Sequence, residues 1–322
     1  MHPLIFHPIY RRYLWGGRRF AERLGRLLPP GNDYAESWEL VDRGADQSIV
    51  SVGPLAGTSL GELVRSRGPD LLGRHAPQPQ FPLLFKFLDA SHDLSVQVHP
   101  DDARAARLTP PDRGKTEAWY VIDAAPGSRI YAGVRSGTTR KDLDAALRSG
   151  RCADVLHWLT PRRGDCVFIP AGTVHAIGAG LMVAEIQQSS DVTFRLHDWN
   201  RVGSDGKPRP LHIEAGLEAV TQFAPVAPVV PEPLDDPVAR RLVASDFFLL
   251  DEILPGPSWA VGGDGGCHFL VVIAGGIRLP SDWGLPDVSR GSCVLLPAAI
   301  GVQDVEALGD RGQTRLLHVY LP

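Results

Sequence analysis

Gln97, His99, Glu117 and His175 are the residue types in this chain best suited to hold one metal ion together. Gln97 and His99 sit in Leu94-Ser95-Val96-Gln97-Val98-His99, where polar and apolar residues alternate as on a half-buried strand. Residues two apart on a strand share a face, so the Gln carbonyl and the His imidazole can converge on one point. Glu117 opens a second strand-like run, Ala118-Trp119-Tyr120-Val121-Ile122, and His175 follows the turn Pro170-Ala171-Gly172-Thr173-Val174. A set of oxygen and nitrogen donors without thiolate suits a borderline-hard divalent ion such as zinc, manganese or iron. Oxygen ligands at an open site mark catalysis rather than structural support.

Positioning such donors needs strands. The chain is rich in glycine (34) and proline (28), and its apolar runs are short. That favours many short strands joined by turns, hence a sandwich or barrel. Three helical stretches are expected: one opened by the capping pair Ser59 and Glu62, a second over residues 138–159, and a third over residues 211–220. Gly262-Gly263-Asp264-Gly265-Gly266 lacks a strand-to-helix context for phosphate binding and reads as a hairpin loop. Pro225-Val226-Ala227-Pro228-Val229-Val230-Pro231-Glu232-Pro233 reads as an extended linker, because proline fixes φ and prevents helix. The expected division is residues 1–224 as a metal-binding domain with helical segments, 225–233 as linker and 234–322 as a second, metal-free domain. An internal repeat supports it: Gly164-Asp165-Cys166-Val167-Phe168-Ile169-Pro170-Ala171 matches Gly291-Ser292-Cys293-Val294-Leu295-Leu296-Pro297-Ala298. In that register Val302 stands opposite His175 and His268 opposite Glu117, so the second copy has lost the ligand set.

At 322 residues the chain can bury a large core, and a net charge of −4 gives no field to attract nucleic acid or an anionic membrane. An anionic substrate must then be held by local Lys and Arg. No apolar run is long enough to span a bilayer, and the N-terminus lacks the regions of a signal peptide. The four cysteines form no C-x-x-C pair, and Cys166 and Cys293 lie in apolar runs where a small buried thiol is expected. A reducing cytoplasm fits this usage. No protein partner is implied.

Gly164-x5-Pro170-x-Gly172-x2-His175 resembles the second motif of the cupin superfamily. The first cupin motif usually carries His-x-His; here Gln97 replaces the first His, and Glu117 comes later than usual. Phe81 to Ala90, Ser95-Val96-Gln97-Val98-His99-Pro100-Asp101-Asp102, Gly114-Lys115-Thr116-Glu117-Ala118-Trp119-Tyr120 and Ile169-Pro170-Ala171-Gly172-Thr173-Val174-His175-Ala176 together resemble type I phosphomannose isomerases. So do Ala35-Glu36-Ser37-Trp38-Glu39 and Glu185-Ile186-Gln187-Gln188-Ser189-Ser190-Asp191, followed by Thr193-Phe194-Arg195-Leu196. The resemblance implies two tandem cupin barrels (double-stranded β-helix, or jelly-roll), mainly β, with a few helices around the first. It implies one zinc on Gln97, His99, Glu117 and His175, catalytic roles for Arg195 and Lys115, and substrate contacts from Lys86 and Glu185. His197-Asp198-Trp199 departs from the family's usual Tyr-Asp-aromatic run, which bears on the wall that stacks on the sugar ring and not on the metal site.

The implied reaction interconverts D-mannose 6-phosphate and D-fructose 6-phosphate through an enediolate. These residue types suit it. A metal ion can polarise a carbonyl and hold two neighbouring oxygens. A fixed guanidinium can stabilise the charge that develops, or bind phosphate. A base must carry the proton between the carbons, and Glu185, Asp191, Lys115 and a water on the ion are all open to that role. Two rivals stand beside this reading: an iron-dependent cupin dioxygenase, since two His and one Glu can form a facial triad, and a non-catalytic sugar-phosphate-binding cupin.

Overall fold

Leu83-Leu84-Phe85-Lys86-Phe87-Leu88 is apolar on both faces except at Lys86, and it becomes a strand buried from end to end, Leu83–Ala90. Such a strand needs a layer on each side, and the whole fold follows from that need. The computed structural model describes residues 1–202, 206–309 and 312–322.

Leu83–Ala90 belongs to a six-stranded sheet in the order Cys166–Ile169, Glu117–Ala124, Leu181–Gln188, Leu83–Ala90, Tyr34–Leu40, Ile9–Gly17. A five-stranded sheet faces it: Leu156–Leu159, Ile130–Val134, His175–Ile177, Val96–Val98, Phe194–His197. Leu88, Trp119, Val121, Val167 and Val183 of the first sheet pack on Ile130, Ala132 and Ile177 of the second. The same order recurs later in the chain. Cys293–Leu296, His268–Ala274, Arg315–Tyr320, Leu249–Ile253, Ala239–Ala244 and Glu232–Pro233 form a second six-stranded sheet. Val288–Ser289, Gly276–Arg278, Gln303–Leu308 and Ser258–Val261 form its four-stranded partner. The repeat read at Gly164 and Gly291 thus marks corresponding edge strands. Ile169 pairs with Glu117, and Leu296 pairs with His268, so His268 does stand where Glu117 stands in the first unit. Val302 precedes its strand and is 60% exposed.

The two six-stranded sheets meet back to back. Phe85, Phe87, Tyr120, Ala184 and Ile186 from one join Phe269, Val271, Leu295, Leu317 and Val319 from the other in one core. The Phe85 and Phe269 rings lie 5.3 Å apart. The result is four layers of sheet, in which the ladders of facing sheets stay separate. Residues 225–233 run along the first unit, with Val229 N donating to Cys166 O at 2.7 Å, before Glu232–Pro233 joins the second. The N-terminus also crosses over: Leu4 N donates to Leu295 O at 2.8 Å.

Helices sit at the periphery. Ser59 caps Leu60–Leu72 by accepting from Glu62 N at 3.2 Å, and Leu60, Leu63 and Leu71 enter the central core. This helix runs further than its opening pattern suggested, with non-helical φ at Arg67 ahead of Pro69. The expected helix over 138–159 is corrected. Only Arg140–Arg148 is α-helical, started by a Thr139–Asp142 capping box. Gly150 then takes φ 70°, and Leu156–Leu159 becomes an edge strand beside Ile130–Val134. The third helix is Ile213–Ala219. The glycine-rich loop around Gly262 to Gly266 is not a hairpin: the strands it joins, Ser258–Val261 and His268–Ala274, belong to different sheets. Among the described residues no helix is long and apolar enough to cross a membrane. All four cysteines are buried and unpaired, and burial pushes the Cys152 and Cys267 thiols up to about 12.

Candidate metal centre and catalytic cavity

Strand pairing brings the expected ligands together. His175 is in register with Gln97 on the neighbouring strand. Glu117 begins a strand of the facing sheet. The turn before His175 needs Gly172, whose φ is 85° and whose added Cβ would lie 1.9 Å from Thr221 Oγ1. Gly172 N also donates to His99 O at 2.8 Å, tying the two histidine segments to each other.

The ligand atoms of His99, Glu117 and His175 all lie within 4.8 Å of one another, and all three residues are buried. Each imidazole is oriented through Nδ1: His99 to Val192 O at 2.8 Å, His175 to Thr173 O at 2.9 Å. Both Nε2 atoms therefore face the centre as acceptors, the arrangement of metal-binding histidines. Burial, then the Lys115 charge, holds both rings neutral: His175 is lowered to about 3 and His99 lies well below its usual range. Glu117 Oε1 is buried without a hydrogen-bond partner. Oε1 faces His175 Nε2 at 3.3 Å and Oε2 faces His99 Nε2 at 3.5 Å, and a buried carboxylate set against two neutral imidazole nitrogens fits a cation. The Gln97 amide nitrogen lies 3.3 Å from His175 Nε2, and the carbonyl oxygen of the same amide could supply a fourth ligand atom. The residues present thus suit a divalent ion.

Beside this centre runs a ladder of buried charges of alternating sign. Lys115 Nζ donates to Glu117 and to His99 Nε2 (3.1 Å), and lies 3.5 Å from Glu185 Oε1. Lys86 Nζ lies 3.4 Å from the same Glu185 oxygen and 3.3 Å from Glu36 Oε2. Trp119 Nε1 donates to the other Glu185 oxygen at 3.0 Å. Burial pushes Glu185 up, but Lys86 and Lys115 together outweigh it and hold the carboxylate below its usual range. Burial lowers Lys86, and Glu185 with Glu36 more than reverses that, so it stays an ammonium. Burial and the Glu185 charge raise Glu117 to about 7.

The ladder floors a cavity of about 800 Å³, which Gln97, Lys115, Lys86, Glu185, Asp191 and Arg195 all help to line. Residues 4–120 match the family model described as phosphomannose isomerase type I, catalytic domain. Mannose-6-phosphate isomerase ManA of Bacillus subtilis (strain 168) is 33% identical over 321 residues, covering 96% of this chain and 97% of that protein. The chain belongs to the type I mannose-6-phosphate isomerase family. A second family member from the same organism, the probable mannose-6-phosphate isomerase GmuF, is 37% identical over 220 residues, 68% of this chain and 69% of that one. The crystal structure of the Bacillus subtilis mannose 6-phosphate isomerase superposes with a TM-score of 0.90 at 26% identity, covering 100% of both chains.

Within this family fold, Arg195 is in register with Gln97 on the strand beside it. Its Nη1 donates to Pro210 O at 3.2 Å, and its Nε is buried without a partner. The other cavity cations are held by carboxylates: Arg11 by Asp46, Arg12 by Asp33, Arg209 by Asp198, and the two lysines by the ladder. Among the described residues Arg195 has no carboxylate partner, which leaves its guanidinium for an anion. His197 and Trp199 are absent from the cavity wall; Trp199 Nε1 instead donates to Leu94 O at 2.7 Å. Rings do line the cavity, supplied by Tyr10, Tyr13, Trp15 and Trp38. Sequence reasoning gave no role to Glu36 and Trp38, although both lie in a block that resembles the family. The signal that exposes them is strand register, which sets Trp38 opposite Lys86.

Proposed function

We propose that this protein interconverts D-mannose 6-phosphate and D-fructose 6-phosphate, with one divalent ion, zinc, on Gln97, His99, Glu117 and His175. The observation that carries the reading is the Glu117 carboxylate, with one oxygen partnerless, facing two neutral imidazoles, next to a buried lysine–carboxylate ladder at the floor of a sugar-sized cavity. When bound, the ion would polarise the sugar carbonyl and favour negative charge on two neighbouring oxygens.

The remaining work falls to side chains. Of the two buried cavity carboxylates outside the ligand set, Glu185 and Glu36, Glu185 is the one beside Lys115 and the ligand cluster and is held ionised, so it is the group we assign to carry the proton between the two carbons. Asp191 is exposed at the mouth, and Lys115 is engaged with Glu117 and His99. The Lys115 ammonium is placed to donate to a sugar oxygen beside the ion. Arg195 supplies a fixed positive fork for charge that develops as the proton leaves. Lys86 keeps Glu185 ionised and adds positive potential for the phosphorylated sugar. Each of the two units is read as a cupin domain, the first (1–224) catalytic and the second (234–322) supporting it. A cytoplasmic site of action fits both the substrate and the free thiols.

A coupled assay that follows fructose 6-phosphate formed from mannose 6-phosphate, run beside an oxygen electrode, tests this reading. Turnover without oxygen uptake is expected. Oxygen uptake without isomerisation would assign the centre to a dioxygenase, and sugar-phosphate binding without either would make the protein a binding module.

A further inference from the structure

The charge ladder does not end at the residues assigned above. Its outermost member is Glu36, 9% exposed, which accepts from Trp38 Nε1 at 2.6 Å and from Lys86 Nζ at 3.3 Å. Lys86 Nζ also lies 3.4 Å from Glu185 Oε1 and 5.9 Å from the centroid of the Trp38 ring. The ammonium thus stands between two carboxylates at nearly equal distances, over an aromatic face. Backbone register builds this arrangement: Trp38 is opposite Lys86, and Lys86 is opposite Glu185.

The symmetry has a chemical consequence. In a low-dielectric interior an ammonium with one carboxylate partner closes onto it as a tight ion pair. A carboxylate held that way is ionised but a poor base, because the pair must be broken before its oxygen can accept a proton. An ammonium that directs one N–H to each of two carboxylates loses a hydrogen bond if it closes onto either, so its donors and tethered stem keep it between them. It still favours the ionised carboxylate, yet leaves Glu185 Oε1 outside a tight pair, while Oε2 accepts from Trp119. The Trp38 indole N–H fixes Glu36 as the counterweight.

We propose that Glu36 is a positioning residue for the isomerisation: with Trp38 it holds Lys86 midway between two carboxylates, so that Glu185 is not locked in a tight pair with it. The proposal rests on the reading of Glu185 as the proton carrier. Glu36 need not touch the reacting atoms, so its removal acts on the chemical step and not on substrate affinity.

The test is Glu36→Gln in the metal-loaded enzyme. Glutamine keeps the volume and can still accept from Trp38, but it carries no charge to draw Lys86. The expected result is a kcat lower by roughly tenfold to a hundredfold, the scale of a displaced catalytic group, with KM within about threefold and metal content unchanged. Glu36→Asp should recover part of kcat, and Trp38→Phe should lower kcat in the same sense. A crystal structure of Glu36→Gln should find Lys86 Nζ drawn onto Glu185. A kcat within about twofold of wild type, or a raised KM with kcat intact, would overturn the proposal. So would a Lys86 that has not moved in the variant crystal. If the wild-type protein fails to isomerise, the functional reading falls by itself, and the crystallographic result still decides whether Glu36 centres Lys86.

Discussion

Arg195 carries the sharpest single-residue expectation. Among the described residues it is the cavity guanidinium without a carboxylate partner, and Nε is buried and unbonded. An interaction made only in the transition state lowers kcat when lost, whereas lost uniform binding raises KM alone. Arg195→Ala should therefore cut kcat by at least roughly a hundredfold, the scale of removing one preorganised charge-stabilising donor. Arg195→Lys should rescue little, because an ammonium does not reproduce the planar fork. Zinc content should stay near wild type. Steady-state kinetics with unchanged kcat and a raised KM would make Arg195 a phosphate anchor. At this scale much of the candidate site was legible in the sequence. Gln97 and His99 announce themselves by same-face spacing, and Lys86 by being a charge between Phe85 and Phe87. Glu36 was not legible, because no spacing marks a carboxylate whose partner is a residue on the next strand.

Strand register does the assembling, and two elements show what it depends on. Gly172 makes the turn that delivers His175 and bonds the His99 carbonyl. Gly172→Ala sets a Cβ against Thr221 at positive φ, so stability should drop by about 1–3 kcal/mol and zinc affinity with it. Denaturant unfolding and metal titration of the variant check both; unchanged values would mean the turn tolerates a side chain. The strands Arg315–Tyr320 and His268–Ala274 hold a second titratable group. His268 Nε2 bonds Asp264 at 3.0 Å, and its Nδ1 meets His318 Nε2 at 2.9 Å. With His268 donating to Asp264, His318 must donate to His268. Burial and His268 hold His318 well below 6.5. The folded state then binds fewer protons than the unfolded chain. The contribution of His318 to stability is therefore full above about pH 6.5 and is lost as pH falls below it. His318→Leu should shrink the loss of Tm between about pH 7.5 and about pH 5.5. An unchanged difference would show that other groups set the acid limb. Elements were less legible than residues. The Leu and Val stripe over 138–159 looks helical locally, but a glycine at φ 70° and a free sheet edge turn its second half into strand. The loop around Gly262 read as a hairpin because nothing local says that its flanking strands enter different sheets.

At the scale of the molecule, the repeat at Gly164 and Gly291 revealed two related units, but not that they pack back to back. Periodicity marks a strand as buried on both faces without naming what covers it. The seam through Phe85 and Phe269 should make the units unfold together, and calorimetry should find one transition. Phe269→Ala should remove about 3–5 kcal/mol from both units at once. Two separate transitions in the wild-type protein would contradict that coupling. His268, in the register position of Glu117, should be silent in catalysis: His268→Ala should keep metal content and turnover near wild type. The central claim is that the whole arrangement exists to place one ion beside a sugar phosphate. Its most direct test is turnover of mannose 6-phosphate measured while zinc is returned stepwise to chelated protein. Turnover should be negligible without metal, rise linearly and break at about one ion per chain, as a single dedicated site requires. Full turnover in the metal-free protein would contradict it.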